Sequence, residues 1–274
     1  MFIDAYNDGW FNVLRARRVE LPARHRLYLL IDGAFVPGLY KQVRLGDIAL
    51  LFDALPACTT QAKDVSPFLI PFLVDDKHFR ALLAQCEGWP MVSLIETTEP
   101  IEALAQRLSA WCIVEADGQR FNFRFADTRR LPAIHRTLDE RQRAQLAGPA
   151  RRWSYVTREG GWADLALSAG DQVDVAAAAV LDERQFAALV DDSRLDELLS
   201  LLHDRGHEVD RHPSRSHALL AQAFHAAAAA NLGDSELLGW CEWFWRHDQL
   251  SGNETVIAAL SDWRKVHVEG VPNA

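Results

Sequence analysis

Asp32 ends the apolar run Leu27–Ile31 and precedes Gly33, which sets a carboxylate where a buried strand gives way to a turn. Aspartates that act as nucleophiles or metal ligands in phosphoryl-transfer enzymes often stand at such strand ends. Those enzymes usually carry a second aspartate two residues later, and here that position is Ala34. The other reading is a structural carboxylate that pairs with an arginine or caps the following turn. A hydrolase or phosphoryl-transfer enzyme using Asp32 and Asp127 is the alternative to any non-catalytic reading.

His203, His207, His212 and His217 invite a metal reading, because His203 and His207 are four apart and could face one way on a helix. The intervening Asp204-Arg205-Gly206 lacks the glutamate of the zinc-protease motif, and Gly206 suggests that the helix is already ending. A helix C-terminus favours histidine through its dipole with no metal present. Cys58, Cys86, Cys112 and Cys241 are isolated and form no C-x-x-C pair, as buried thiols of a reducing compartment would be. The chain has no G-x-S-x-G, P-loop or dinucleotide glycine pattern. These readings lead to an expectation of no catalysis, no cofactor and no metal.

The segment Trp240-Cys241-Glu242-Trp243-Phe244-Trp245 is the most unusual composition in the chain. At 100° per residue, Leu237, Trp240, Trp243, Phe244 and His247 share one helix face, the expected core side. Leu238 and Trp245 fall elsewhere. They are either a second buried side or an aromatic anchor for a partner, since exposed tryptophan is enriched at interfaces.

The elements that would position these residues form two groups. From 27 to about 157, apolar runs alternate with helical stretches. Leu27–Ile31, Ile48–Phe52, Met91–Ile95 and Trp153–Val156 read as strands. Phe68–Val74 reads as an edge strand or a bulge because of Pro71. Val36–Val43, Lys77–Cys86 and Pro100–Ala110 read as helices, with Pro100 suited to a first turn. Asp117-Gly118 between Trp111–Val114 and Phe121–Phe125 is a two-residue hairpin turn, so part of the sheet is antiparallel. Helices near 130–138 and 139–147 stop at Gly148-Pro149. After about 175 the strand signal disappears. Asp182 can cap a helix, Phe186, Leu189 and Val190 follow at helical spacing, and Leu195, Leu198, Leu199 and Leu202 repeat it, so both segments bury one helical stripe. Pro213 opens an Ala-rich helix ending near Gly233, Asp234 can cap the next, and Gly252-Asn253 separates that one from a last helix through Trp263. The expected fold is an α/β (α+β) lobe with a mixed sheet over 1–165 and an all-α lobe over 175–274.

With 29 Lys and Arg against 38 Asp and Glu, the 274-residue chain has a formal charge of −9. An acidic chain lacks the long-range attraction that brings proteins to nucleic acid or anionic lipid. Arg15, Arg17 and Arg18, and later Arg141, Arg143, Arg151 and Arg152, read as solvated faces. The N-terminus carries acidic residues where a signal peptide needs basic ones. The longest stretch free of Asp, Glu, Lys and Arg, 216–233, is a poor membrane span, being mostly alanine with His217, Gln222, His225 and Asn231. Neither nucleic acid nor membrane is an expected partner, and the expected location is the cytoplasm.

YLLIDGA (28–34), SPFLIPF (66–72), the segment Gly88–Ser93, DGQRFNFRFADTR (117–129) and GPARRW (148–153) occur in one order along the first lobe. In that order and spacing they resemble the bacterial domain of unknown function 4123, found in adaptor/chaperone proteins of type VI secretion. The resemblance covers roughly 27–155. It brings forward Asp32, Gly33, Pro67, Arg124, Asp127, Arg129, Gly148 and Pro149 as structural motif residues. The family's arginine–aromatic–Asp-Pro-Arg pattern appears here as Arg124-Phe125-Ala126-Asp127-Thr128-Arg129, with threonine in place of proline. The resemblance implies a non-catalytic adaptor that binds the N-terminal segment of one toxic effector in the cytoplasm and promotes its loading on the spike protein, itself a second candidate partner. The helical lobe, with Leu238 and Trp245, is the expected recognition element.

Overall fold

The computed structural model describes residues 2–43, 47–56, 58–72, 77–167, 179–209, 212–247 and 253–267. In chain order its elements are α1 (Trp10–Val19), β1 (Arg26–Ile31), β2 (Ala49–Leu50), α2 (Thr60–Asp64), β3 (Phe68–Pro71), α3 (Lys77–Ala84), β4 (Val92–Thr97), α4 (Ile101–Ser109), β5 (Ile113–Ala116) and β6 (Gln119–Asn122). They continue with α5 (Leu131–Thr137), α6 (Glu140–Ala147), β7 (Arg152–Val156), β8 (Trp162–Asp164), β9 (Ala179–Val180), α7 (Glu183–Asp204), α8 (Pro213–Ala229), α9 (Asp234–Trp245) and α10 (Asn253–His267). Contacts divide the chain into two units, Met1–Asp192 and Ser193–Ala274.

The first unit is built on an antiparallel sheet in the order β2-β3-β1-β4-β7-β8. β1 reads as a continuous apolar run because both of its faces are covered. Tyr28 and Leu30 point into one core with Leu104 and Leu108 of α4, while Leu27, Leu29 and Ile31 point into another with Leu14 of α1 and Leu83 of α3. A second sheet, β6-β5-β9, supplies the mixed character, since β5 pairs antiparallel with β6 and parallel with β9. Its hairpin turns at Asp117 (φ 48°) and Gly118 (φ 69°), the two positive φ values that favour Asp-Gly at a tight turn.

Several expectations are corrected. β3 lies inside the sheet and is not an edge strand; Pro71 is its last residue, beyond the two positions that β2 pairs, so the missing N–H interrupts no β2 bond. Residues 73–74 of that predicted strand lie outside the described residues. The expected helix over 36–43 is a 3-10 turn at Leu39–Gln42, and the expected strand over 48–52 is two residues long before a 3-10 turn at Leu51–Ala54. Strand pairing persists past 175, where β9 joins β5. Together with Phe186 and Leu189, which pack against the core of the first unit, it carries that unit to Asp192. Val190, placed on the apolar stripe, is 46% exposed.

Two glycines stand where backbone or a buried side chain passes close. A Cβ on Gly33 would overlap the Ser66 carbonyl. The neighbouring Pro67 carbonyl accepts the Leu51 N–H at 2.9 Å and the Ser66 hydroxyl at 2.7 Å, which fixes the chain entering β3. Gly148 (φ 54°) ends α6 ahead of the exposed Pro149, and a Cβ there would overlap the guanidinium of Arg107. Arg107 is buried and donates to both Glu99 oxygens at 2.9 and 2.5 Å and to the Leu146 carbonyl.

The second unit packs Leu198 and Leu202 of α7, Leu220 and Ala223 of α8, Trp240 and Phe244 of α9, and Leu260 and Trp263 of α10 into one core. Trp240 donates its indole N–H to the Ala223 carbonyl at 2.9 Å, so this fully buried ring also has its polar atom satisfied. Asp234 is the first residue of α9, with Gly233 at the cap position expected of it. Glu242 on α9 accepts from Arg205 at 2.6 Å, from Arg246 at 2.7 Å and pairs with His207 at 3.1 Å, tying the chain after α7 to α9. Among the described residues no helix is long and apolar enough to cross a membrane.

Gly33→Ala should lower unfolding stability by about 1–3 kcal/mol, the usual range for overpacking, because backbone cannot step aside as a side-chain end can. Urea denaturation monitored by tryptophan fluorescence measures this, and an unchanged midpoint would show that the two chain segments separate freely.

Candidate functional site

The candidate site lies at the end of β1. The Asp32 backbone N–H donates to the Met91 carbonyl at 2.9 Å, holding the residue against the chain entering β4. Its Oδ1 accepts the Ala34 N–H at 3.0 Å, a local turn bond, and its Oδ2 accepts Arg124 Nη2 at 2.9 Å. The same nitrogen is 3.9 Å from Asp127 Oδ2. Asp127 opens the approach to α5, with its carbonyl accepting from Arg130 and Leu131 at 3.0 Å each. Its carboxylate takes three donors from Arg129: the backbone N–H and Nε at 3.1 Å and Nη2 at 2.8 Å. Sequence reasoning singled out all four residues, and the structure brings them together as two linked pairs.

Threonine at 128 matters to that arrangement. Its N–H donates to the Pro90 carbonyl at 2.9 Å, a bond that the proline of the family pattern could not make. The segment is thereby tied to the chain preceding β4, on which Asp32 also leans.

Asp32 and Asp127 are 2% and 1% exposed, and the Arg129 side chain 9%, whereas the Arg124 side chain is 42% exposed. Burial pushes the Asp32 carboxyl above its ordinary range, outweighing Arg124, whose opposing charge is partly screened by water. The nearby Cys112 thiol is raised by burial first and by Asp32 second, so it stays protonated and is a poor nucleophile. Burial likewise pushes the thiols of Cys86 and Cys241 up to about 12.

Three aromatic residues that sequence reasoning did not assign a role complete the surface. Arg124 lies over the Phe35 ring at 4.8 Å, and Arg129 lies over Phe2 at 4.8 Å and Phe35 at 5.8 Å. Phe2, Phe35 and Trp89 contact one another with centroids 5.6–6.0 Å apart, and Phe2 is 40% exposed. The available signal was position: Phe35 directly follows the Asp32-Gly33-Ala34 motif and Trp89 lies within 88–93. The result is a guanidinium and aromatic face above buried carboxylates, suited to holding a partner and poorly suited to presenting a base.

The other candidates belong to the second unit. α7 ends at Asp204, and Gly206 adopts φ 85°, so His203 and His207 do not share a helix face. His207 pairs with Glu242, His212 precedes α8 and His217 lies within it. Among the described residues no group of three His, Cys, Asp or Glu could hold a metal ion. Leu238 and Trp245 are half-buried against the core of the second unit.

Arg124→Ala should cost about 3 kcal/mol, the low end for a stranded buried charge because Arg124 is half in water. A double-mutant cycle with Asp32→Asn should give a coupling of at least about 0.5 kcal/mol, whereas strict additivity would mean that the pair does not interact. The raised Asp32 carboxyl means that the folded chain holds this proton more tightly than the unfolded one. Its contribution to stability is therefore full below its ordinary value near 3.8 and is lost as pH rises through the raised value. Asp32→Asn should flatten that decline in a pH series of melting temperatures.

No curated protein and no solved structure matches the chain. A family model does match, and it stops short of GPARRW (148–153): residues 27–145 match the family described as domain of unknown function (DUF4123), the one that the motifs of the first unit resemble.

Proposed function

We propose that the chain is a non-catalytic cytoplasmic adaptor that binds a toxic effector of type VI secretion and promotes its loading on the spike protein. The family match supports this reading together with the resemblance of the motifs. The observation that carries it is the state of the two carboxylates. Asp32 and Asp127 are withdrawn from solvent and engaged by arginine, while Arg124 and Phe2 remain exposed beside them. A general base needs to reach a substrate proton, and these carboxylates face inward. Arginine and aromatic side chains are the residue types that dominate protein-binding surfaces. A phosphoryl-transfer or hydrolase reading has one observation in its favour, the raised Asp32 carboxyl, since perturbed carboxylates gather at catalytic sites.

The adaptor reading expects one protein encoded beside this gene to co-purify with the full chain in stoichiometric amount; failure of every neighbouring product to do so would overturn it. Phosphatase or esterase turnover that disappears in Asp32→Asn would establish the enzyme instead. Trp245→Ala locates the recognition element when melting temperature and co-purification are read together. Lost binding with an unchanged melt places an anchor at Trp245, worth about 2 kcal/mol or roughly thirtyfold in affinity. A lowered melt with binding intact assigns the ring to the core that it packs against.

A further inference from the structure

Beside the paired carboxylates, Phe123, Arg124, Arg130, Ile134, Leu189 and Asp192 line an open pocket of about 160 Å³ within the first unit. Phe123 and Ile134 are buried and Leu189 is half-buried, so one side of the pocket is hydrocarbon. Arg124 forms a polar side. Its Nη2 is held by Asp32 and its plane rests on Phe35, so the guanidinium is fixed before anything binds. Among the described residues its Nε and Nη1 donors have no hydrogen-bond acceptor. Arg130 is tethered by Asp192, donating to that residue's carbonyl at 3.1 Å with its carboxylate 3.8 Å away. The lining therefore holds two guanidinium groups and one carboxylate.

An engineered apolar cavity of about 150 Å³ holds a benzene molecule, so this pocket has room for five or six heavy atoms. A lysine would meet two cations there. A purely aliphatic group would cover the Arg124 donors without offering them an acceptor. A bare anion would leave the hydrocarbon side unused. We infer that the pocket receives a glutamate side chain of the bound polypeptide, its methylenes against Phe123, Ile134 and Leu189 and its carboxylate on the Nε and Nη1 donors of Arg124. This inference rests on the adaptor reading for the source of the glutamate, and it specifies what the bound segment must carry. Arginine–carboxylate contact through two parallel N–H donors would also fix the orientation of that segment.

The test needs no effector. Methyl signals of Ile134 and Leu189 in the full chain are followed by NMR during titration with N-acetyl-L-glutamate α-amide, and in parallel with N-acetyl-L-glutamine α-amide. Saturable shifts with an affinity on the order of millimolar are expected for the glutamate probe, and at least tenfold weaker binding for the neutral one. Because Arg124→Gln alone strands the Asp32 carboxylate, the paired change Asp32→Asn with Arg124→Gln is titrated alongside, with at least a tenfold loss expected. Absent shifts, equal shifts from both probes, or unchanged affinity in the paired variant would each overturn the assignment. Such a failure would leave the adaptor reading standing, since co-purification tests that independently; failed co-purification would leave the titration result intact.

Discussion

Two carboxylates beside the central sheet of the first unit are almost wholly withdrawn from water, and a charge in that position costs several kcal/mol unless donors meet it closely. The partner of Asp32 lies 92 residues away in sequence, so the pair joins the end of β1 to the chain that follows the β5–β6 hairpin. Several local features serve this closure. Gly33 lets the chain pass against the Ser66 carbonyl, the Met91 carbonyl anchors the Asp32 amide, and Thr128 ties the arginine-bearing segment back to Pro90. Asp127 needs no distant partner, because Arg129 two residues on wraps its carboxylate with three donors. The two pairs thus divide the labour: one sets local conformation, the other sets long-range closure.

That arrangement also explains why chemistry-bearing residues need not signal catalysis. A catalytic carboxylate is raised by burial so that it can exchange a proton with substrate. Asp32 is raised by the same physics but faces a guanidinium and a backbone amide. Its effect is transmitted outward through Arg124, whose other face lies on Phe35 and whose edge reaches solvent. A half-exposed arginine already held by a carboxylate and a ring has less freedom to lose than an untethered one when another group approaches it.

Much of the first unit was legible in the sequence because its signals are local. Asp117-Gly118 demands positive φ at two successive residues, Gly148 stops α6, and the run Leu27–Ile31 is apolar without alternation because both faces of β1 are covered. That Asp32 pairs with an arginine could be named as a possibility, but not which arginine, since nothing local connects Asp32 with Arg124. What escaped is short or set by distant contacts. β8 is three residues including a half-buried tryptophan, β9 is two residues joined to β5 across more than sixty positions, and α1 buries only Trp10 and Leu14 on a helix rich in arginine. Val190 fits the helical period yet lies in water, because periodicity marks which residues share a face and not where the covered face ends.

Structural modules are usually joined by loops, where a chain can be lengthened, cut or exchanged with few hydrogen bonds at stake. Here the seam between Asp192 and Ser193 falls within the 22 residues of α7, whose cap at Asp182 and residues Phe186 and Leu189 serve one unit while Leu198 and Leu202 serve the other. A backbone break at the seam would leave unpaired carbonyls on one side and unpaired amides on the other. The helix that joins the two units is thus one that both of them need intact.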